Sequence, residues 1–505
     1  MTRKRRIAII GGGIGGLSAA YYLHGHDSAD GSETFECTVF EASSRLGGNA
    51  DSAYGEAAFR PPFGDLGVND FNVKTYTLMD EILATLGRTE VDGEFPFRVA
   101  TGRLLNTTCW YTPRAQAGKA ICYTDADLQQ PTDPFLEQIA RDWHHFAVNG
   151  ARLVLEHPWK YRDMSVGEFV REQGYSDAFA VCNLYARING MYFMDDRHPS
   201  TMPILGVMSY YSLQEGMLGH ALPDPDRKYF CNGASDWINR LGAYLAWRGV
   251  RFHTGCHATV DADIPNGARV RWSANRSEQS EDFDAVILAV HADQVGQVVR
   301  KGLPGGMAPL LSAFRYFSSM ALWHDDEQVM PADQDKWRTY NIVIYPEDRY
   351  LLRPYTINYV CAMHQGQDRA QAPFVSESPL QGVRRKSVRR MLSGGDPQDN
   401  HLIPAVNWFR HNMVSAVSRQ AQELLHRQQG INGLYYTGGW TQGAGLHQEI
   451  MAVSLDIAKR LRHAWREEDA NAFLPHVPEH VPLYLRVANP ARPETHTNMV
   501  PPGFV

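Results

Sequence analysis

Short apolar runs alternate with glycine turns and helical patterns near the start of the chain. The run Arg6–Ile10 stops at glycine, Leu17–Leu23 has a helical pattern, and Cys37–Phe40 is a second apolar run. Runs of β-branched residues that end at glycine are typical of buried strands. The pattern therefore predicts a βαβ unit, with the polar stretch His24–Glu36 outside the core.

Two later regions repeat this α/β pattern. A helix capped by Ser235 is predicted to end at Gly249 and to lead into the strand Val250–Thr254. Asp284–Val290 is predicted as another buried strand. Gly433–Gly438 is predicted as a strand and turn, followed by a helix with Ile450, Val453, Ile457 and Leu461 on one face.

The intervals between these α/β regions are rich in aromatic residues, which indicates an inserted domain. We predict an α/β fold: a Rossmann-like FAD-binding domain in discontinuous segments, and an inserted α+β substrate domain with a mixed sheet and helices. The FAD-binding segments are 1–105, 225–300 and 405–465, and the substrate-binding segments are 106–224 and 301–404. The proline-rich residues 466–505 are predicted to form an extended tail.

Composition narrows the functional classes. The 505 residues are 44% hydrophobic and 21% charged, which is typical of globular proteins. The net charge of −7 provides no global basic field for nucleic acid. The seven cysteines are an odd number without a Cys-x-x-Cys pair, so they indicate reduced thiols rather than a disulfide framework or zinc ribbon.

The N-terminus resembles a signal peptide or short membrane span at first sight. Basic residues 3–6 precede an apolar run that ends at Leu23. That run contains five glycines and no small-residue cleavage site, which argues against export or anchoring. No other run approaches the roughly 18 apolar residues that a span needs. We therefore predict a cytoplasmic protein without a transmembrane segment.

The segment Gly11-Gly-Gly-Ile14-Gly15-Gly16 has the spacing of a dinucleotide-binding loop. Gly11 permits the tight turn, Gly13 lets backbone approach a diphosphate, and Gly16 allows close packing of helix and strand. Glu41 ends the second predicted strand, where a carboxylate accepts hydrogen bonds from ribose hydroxyls. A glycine turn without nucleotide is the structural alternative.

Three further motifs resemble those of the flavin amine-oxidase and phytoene-desaturase superfamily. They are Glu41-Ala-Ser-Ser-Arg-Leu-Gly-Gly-Asn49, Asp65-Leu-Gly-Val-Asn69 and Gly438-Gly-Trp-Thr-Gln-Gly-Ala-Gly-Leu-His-Gln-Glu-Ile450. The resemblance covers most of residues 5–465 and implies noncovalent FAD. In the superfamily these segments contact the diphosphate, the flavin ring, and the N1–C2=O edge.

The resemblance is closest to bacterial NAD/FAD-binding, amine-oxidase-like oxidoreductases, through Leu311–Tyr316, His291–Val295 and Gly445–Glu449. It implies cofactor contacts from both glycine loops, from the Asp65–Asn69 segment, from Cys256 by its main chain, and from the C-terminal motif. The implied residues are Gly11, Gly13, Ile14, Gly15, Gly16, Glu41, Ala42, Arg45, Gly47, Gly48, Asn49, Gly67, Val68, Asn69, Cys256, Gly439, Leu446 and His447.

The chain also departs from the superfamily pattern. Ser43 and Asn49 stand where amine oxidases commonly have arginines, and Leu446 replaces an aromatic residue of their substrate cage. The C-terminal motif has no cysteine, so a covalent thioether link to flavin is not expected. No residue matches the active-site lysine of many amine oxidases.

Candidate catalytic residues are few, and each has a structural alternative. His447 is either a general base or a backbone donor to flavin, and Glu449 lies beside it. Trp440 either walls the site or packs in the core. Arg315 and Tyr316 either anchor an acidic substrate or form structural contacts.

Two other clusters leave alternatives open. His253, Cys256 and His257 resemble part of a metal site, but no further ligand pair follows, and we predict no metal. The basic cluster Arg384–Arg390 has helical spacing. It is interpreted as a solvated face, or as a docking surface for a carrier, a phosphate or an anionic membrane.

The resulting hypothesis is an FAD-dependent oxidoreductase. A small or medium metabolite would transfer a hydride to flavin N5, and O2 would reoxidise the flavin. One alternative is a desaturase, saturase or isomerase of a lipid or polyene chain, with the substrate free or presented by a carrier. Another is a non-enzymatic flavin-binding sensor or scaffold, and NAD(P) as sole cofactor is the chemical alternative. The sequence leaves a homodimer open.

Overall fold

The computed structural model describes twelve stretches of the chain. They are residues 4–25, 35–55, 57–104, 109–113, 122–192, 199–214, 227–274, 277–331, 333–344, 355–377, 383–392 and 402–464. The predicted tail, 466–505, lies outside the described residues. None of the described helices is both long and apolar enough to cross a bilayer.

The strands fall into two halves of the chain. The first half has β1 (Arg5–Ile10), β2 (Phe35–Phe40), β3 (Ser52–Tyr54), β4 (Phe63–Asp65), β5 (Asp70–Asn72), β6 (Thr101–Arg103), β7 (Cys109–Pro113), β8 (Tyr123–Thr124), β9 (Arg227–Phe230), β10 (Arg251–His253) and β11 (Ala258–Ile264). The second has β12 (Gly267–Ala274), β13 (Ser277–Phe283), β14 (Ala285–Leu288), β15 (Val299–Lys301), β16 (Tyr316–His324), β17 (Tyr340–Ile344), β18 (Tyr355–Val360), β19 (Phe374–Glu377), β20 (Arg390–Leu392), β21 (Leu402–Pro404), β22 (Val406–Asn412) and β23 (Leu434–Tyr436).

The α-helices are concentrated between the strands of the two large sheets. They are α1 (Ile14–Ala20), α2 (Thr77–Arg88), α3 (Pro134–His145), α4 (Ala151–Glu156), α5 (Pro158–Tyr161), α6 (Val166–Gln173), α7 (Asp177–Phe179), α8 (Tyr185–Tyr192), α9 (Ile204–Gln214), α10 (Ala234–Trp247), α11 (Ala292–Val298), α12 (Met307–Ser312), α13 (Cys361–Gln365), α14 (Ala416–Leu425) and α15 (His447–Ala464). Shorter π and 3-10 turns are Tyr21–Gly25, Phe146–Gly150, Ala180–Leu184, Pro199–Thr201, Glu327–Val329, Gln334–Lys336, Arg385–Ser387, His426–Gln428 and Ile431–Gly433.

A parallel five-stranded sheet forms the Rossmann-like part, in the order β10-β2-β1-β14-β23. Ile9 on the central strand β1 pairs with Val39 and with Ile287. Such β-branched residues fill a sheet that is covered on both faces. One face packs against α1, α2, α10 and α15, and the other against the four-stranded sheet β13-β12-β11-β15. The predicted α/β fold is confirmed.

A mixed seven-stranded sheet, in the order β22-β16-β19-β18-β17-β7-β8, forms the second large unit. β17 and β7 are parallel, whereas the other described pairs are antiparallel. Helices between α3 and α9 pack their aromatic side chains against this sheet. β22 belongs to this sheet, although the sequence analysis grouped residues 405–465 with the FAD-binding domain.

Two local predictions were wrong. Helix α10 begins at Ala234 with Gly233 at its cap, and Ser235 instead uses its hydroxyl to accept the N–H of Ser52. Gly233 takes the cap position because its φ of 85° is one that a serine rarely adopts. The basic cluster around Arg384 is not a helical face, because a 3-10 turn and the strand β20 divide it.

Candidate functional site

The first glycine loop joins β1 to α1 and is shaped by close backbone contacts. Gly11 has a φ of 111°, and a Cβ there would lie 2.3 Å from the carbonyl oxygen of Ala289. A Cβ on Gly16 would lie 2.0 Å from the oxygen of Gly11. By contrast, the nearest atom to a Cβ on Gly13 is the Gly48 Cα at 4.0 Å. Gly11 and Gly16 therefore shape the turn, while Gly13 borders open space.

The second glycine loop is hydrogen-bonded to the first. Gly47 donates its N–H to the oxygen of Gly12 over 3.0 Å. Glu41 connects the same loops, because its carboxylate accepts the N–H of Gly12 and the N–H of Ser43, each at 2.7 Å. Both loops are thus fixed around the carboxylate that the sequence analysis assigned to a ribose.

Arg45 on the second loop has one nitrogen without a described partner. Its Nη2 lies 3.0 Å from Asp51, while its Nη1 is buried and lacks a hydrogen-bond partner among the described residues. An unsatisfied buried guanidinium nitrogen is costly, and a phosphate oxygen is the acceptor that guanidinium binds best. This orphaned donor beside Gly47 and Gly48 fits a diphosphate.

The Asp65–Asn69 segment packs tightly under the second loop. A Cβ on Gly67 would lie 2.0 Å from the oxygen of Asn49, so this glycine permits the close approach. Asp65 accepts hydrogen bonds from the Ser52 hydroxyl and the Ala234 N–H, at 2.5 and 2.9 Å. Burial raises the pKa of Asp65 to about 7, although these donors oppose the shift.

The C-terminal motif is a tight loop that leads into α15. Trp440 is 1% exposed and donates its indole N–H to the oxygen of Val290 over 2.8 Å. Glu449 accepts the N–H groups of residues 444, 445 and 446, each at 3.0 Å. Burial raises the pKa of Glu449 to about 7, against the effect of these donors. Glu449 therefore shapes the loop rather than facing the cavity.

His447 begins α15 and lines the cavity. Burial lowers its pKa to about 4, so the imidazole is neutral near pH 7. Its Nδ1 has no hydrogen-bond partner among the described residues. The side chain is therefore a neutral group with one ring nitrogen available to a bound molecule.

These loops enclose one continuous cavity of about 1060 Å3. Most of the predicted site residues line it: Gly11, Gly13, Ile14, Gly15, Glu41, Ala42, Arg45, Gly47, Gly48, Asn49, Gly67, Val68, Asn69, Cys256, Tyr316, Gly439, Trp440, Leu446 and His447. Gly16 and Glu449 lie behind its wall. Arg315 is exposed and does not line it.

Tyr316 and Cys256 have structural partners at the cavity wall. The Tyr316 hydroxyl accepts the N–H of Ala292 at 2.8 Å, and its ring stacks on His291 with centroids 4.5 Å apart. Cys256 donates its N–H to the oxygen of Glu41 at 3.0 Å. Among the described residues, no three His, Cys, Asp or Glu side chains form a group that could hold a metal ion.

The sequence analysis missed a buried polar cluster on the substrate side. Asp70 forms an ion pair with Arg227, and accepts hydrogen bonds from the Tyr340 hydroxyl at 2.7 Å and from His364 Nε2 at 2.9 Å. Asp70 directly follows the Asp65–Asn69 motif, which was the available signal. Its partners come from distant parts of the chain, where no motif marks them.

A second buried ion pair joins Arg187 to Asp125. The Arg187 guanidinium also lies over the rings of Tyr111 and Trp143, 5.4 and 4.4 Å from their centroids. Arg187 lines the cavity together with four tyrosines, Tyr76, Tyr210, Tyr340 and Tyr359. The substrate side of the cavity is thus aromatic, with charged groups set in its wall.

Comparison with known proteins supports the fold. Residues 9–61 match the family model for an NAD(P)-binding Rossmann-like domain. No curated protein matches the sequence. A proposed protoporphyrinogen oxidase from Exiguobacterium sp. is a similar solved structure, with a TM-score of 0.60, 17% identity, and coverage of 92% of this chain and 100% of that chain.

Two further solved structures have the same architecture. A fatty acid isomerase from P. acnes that produces CLA has a TM-score of 0.58 at 14% identity, covering 91% of this chain and 99% of that one. Cyclohexylamine oxidase from Brevibacterium oxydans has a TM-score of 0.57 at 15% identity, covering 91% and 100%. The chain therefore has the fold of the flavin amine-oxidase superfamily, and the resemblance predicted from its motifs is confirmed at that level.

Proposed function

We propose that this chain binds FAD and is an FAD-dependent oxidoreductase of the amine-oxidase type. The main support is the single cavity of about 1060 Å3, which both glycine loops, the Gly67–Asn69 segment and the C-terminal motif line together. Ligand cavities typically have volumes of roughly 300–1,000 Å3. The space is therefore sufficient for a dinucleotide and a small substrate.

Each part of the cofactor has matching residues in this proposal. Glu41 would bind the ribose, and Cys256 would contact the adenine with its main chain. Gly13, Gly48 and the buried Nη1 of Arg45 would hold the diphosphate. The segments Gly67–Asn69 and Gly439–His447 would lie beside the ring.

When bound, FAD supplies a hydride acceptor that O2 regenerates, with peroxide as the product. The chain's own residues bind and orient the substrate and exclude water from it. Tyr76, Tyr210, Tyr340 and Tyr359 provide the apolar wall. Because His447 is neutral near pH 7, its role in this proposal is to accept or donate a hydrogen bond through a ring nitrogen.

The substrate side favours a small or medium polar metabolite over a long polyene chain. Arg187 and Arg227 both line it and both belong to buried ion pairs. A long apolar chain would gain little beside such groups, because it offers them no hydrogen bonds. Oxidation at a C–N bond, as the motif resemblance implies, is therefore the preferred reaction.

Two measurements test the proposal in sequence. The purified protein is expected to absorb near about 450 nm, a general property of bound flavin. Anaerobic mixing of the holoprotein with pools of amines and other small metabolites should then bleach that absorbance, and admission of O2 should restore it. A colourless protein that does not take up added FAD would contradict cofactor binding. A coloured protein that no metabolite pool reduces would favour a flavin-binding sensor.

A further inference from the structure

Glu377 is a buried carboxylate in the middle of the seven-stranded sheet. It is the last residue of β19 and is 1% exposed. Neither carboxyl oxygen has a hydrogen-bond partner among the described residues. Residues 378–382, Ser-Pro-Leu-Gln-Gly, add no ionisable side chain next to it in sequence. A carboxyl group in this position is costly unless something else compensates it.

The strand register places Glu377 on the face of the sheet that borders the cavity. Glu377 pairs with Ile357 on one side and with Ala321 on the other, and Ala321 in turn pairs with Asn407. Paired residues on neighbouring strands point to the same face. Ile357 and Asn407 both line the cavity, so Glu377 lies between two lining positions.

The other charged groups on this side are already compensated. Arg187 is paired with Asp125, and Arg227 is paired with Asp70. Each pair has no net charge. Glu377 is therefore the acidic group on this wall without a described countercharge.

The titratable groups across the cavity do not supply that charge. Burial lowers the pKa of His291 to about 4 and that of His447 to about 4, and it also lowers the pKa of His411. All three are neutral near pH 7. Arg410 is engaged by Asp293, with 2.5 Å between Nη2 and the carboxylate.

Tyrosine rings lie between Glu377 and the centre of the cavity. Tyr359 is two residues from Ile357 on β18, so its side chain shares the face of Glu377. Burial raises the pKa of the Tyr359 phenol, and the charge of Glu377 raises it further. Tyr340, opposite Tyr359 in the register, also lines the cavity. Aromatic faces backed by a carboxylate favour cations.

We propose that Glu377 is the countercharge of a cation-binding subsite in this cavity, and that the substrate has a positively charged nitrogen. This inference rests on the proposed function and specifies its substrate class. In the absence of a cation, desolvation keeps the carboxyl group protonated. When a cation binds, the O–H bond of Glu377 breaks, the proton passes to solvent, and the carboxylate pairs with the cation.

The test compares a cation with a neutral molecule of the same shape. Choline and 3,3-dimethylbutan-1-ol are titrated into the flavin-loaded protein by calorimetry, in two buffers with different ionisation enthalpies. The wild-type protein is expected to bind choline at least about tenfold more tightly, because an opposite charge in a low-dielectric site is strongly attractive. Binding should release close to one proton per choline, whereas the alcohol should release none.

The variant Glu377→Gln keeps the shape of the side chain and removes its charge. It is expected to lose both the preference for choline and the proton release, and to be at least as stable as wild type because an uncompensated acid is gone. Glu278→Gln, on an exposed edge strand, is the matched control and should behave as wild type.

Several results would overturn the inference. A wild-type protein with equal affinity for the two probes has no cation subsite. A Glu377→Gln protein that retains the preference places the countercharge elsewhere. If that variant does not fold, Glu377→Asp should keep both the preference and the proton release, and their loss would count against the proposal. Flavin absorbance reports cofactor binding separately, so failure of the proposed function is distinguishable.

Discussion

The carboxylate of Asp70 and Nε2 of His364 lie 2.9 Å apart, although 294 residues separate them in the chain. Asp70 stands on β5, directly after the segment proposed to contact the flavin ring, and His364 is on α13. Arg227 and Tyr340 bind the same carboxylate. This cluster joins four distant segments on one side of the cavity, and it leads to the first prediction.

Asp70→Asn is expected to destabilise the protein by about 3–5 kcal/mol, because it leaves the buried Arg227 without its carboxylate. Burial alone would raise the pKa of Asp70, but Arg227 and His364 hold it well below its ordinary value. This contribution is therefore present above the ordinary pKa and is lost as the pH falls through the lowered one. Denaturant unfolding of both proteins checks the prediction. Asp282→Asn, which breaks an exposed ion pair, is the control and should change stability little.

Gly13→Val is expected to remove FAD from a protein that is still folded. The valine methyl groups would fill the gap between Gly13 and Gly48, where we propose that the diphosphate lies. Flavin content per protein, measured after purification, checks this. Gly87→Val has no atom within 4 Å of its Cβ and should retain full flavin. Full retention by the Gly13 variant would place the diphosphate elsewhere.

Gly16→Ala should have a different effect from Gly13→Val. Its Cβ would lie 2.0 Å from the oxygen of Gly11, so the turn itself must move. Overpacking of this kind costs about 3 kcal/mol. Denaturant unfolding should therefore show a large loss of stability in this variant. Unchanged stability would mean that the turn is less tightly packed than the structure indicates.

Arg45→Met is expected to weaken FAD binding by roughly 10- to 100-fold, since a hydrogen bond to a charged group contributes about 1.5–3 kcal/mol. The variant keeps the length of the side chain and removes the buried Nη1 donor. Quenching of flavin fluorescence on titration of the apoprotein gives the Kd. Arg98→Met, at an exposed position, should leave the Kd unchanged.

The stability of the protein is expected to fall as the pH rises from about 5 to about 8. Burial raises the pKa of both Asp65 and Glu449 to about 7. A carboxyl group with a raised folded-state pKa contributes stability that is complete below its unfolded pKa and is lost as the pH rises through the folded one. Calorimetric Tm values across this range check the sign, and Asp65→Asn should flatten the slope. A Tm that rises over the range would contradict the prediction.

The cofactor side of the fold was largely predictable from the sequence. The Rossmann strands, the glycine turns and most lining residues follow local rules, since a strand that ends at glycine before a helix has few other solutions. The cap of α10 was wrong because Gly233 has a φ that a serine disfavours, which spacing does not reveal. The basic cluster was misread because a period of charges does not distinguish a helix from a turn and strand.

The substrate side was not predictable in the same way. Asp70, Arg227, Tyr340 and His364 meet only after three sheets have formed, and no spacing within the chain connects them. Glu377 gives no sequence signal, because an acidic residue at the end of an apolar strand usually faces solvent. Its burial depends on the register of β19 between β16 and β18.

The hydrogen bond from Gly47 to Gly12 has a consequence for how the protein acquires its coenzyme. Because the backbone itself joins the two loops, the receptor surface is already assembled before any nucleotide arrives. Stripped protein should then regain its yellow colour in a single rapid association step, without a slow ordering phase.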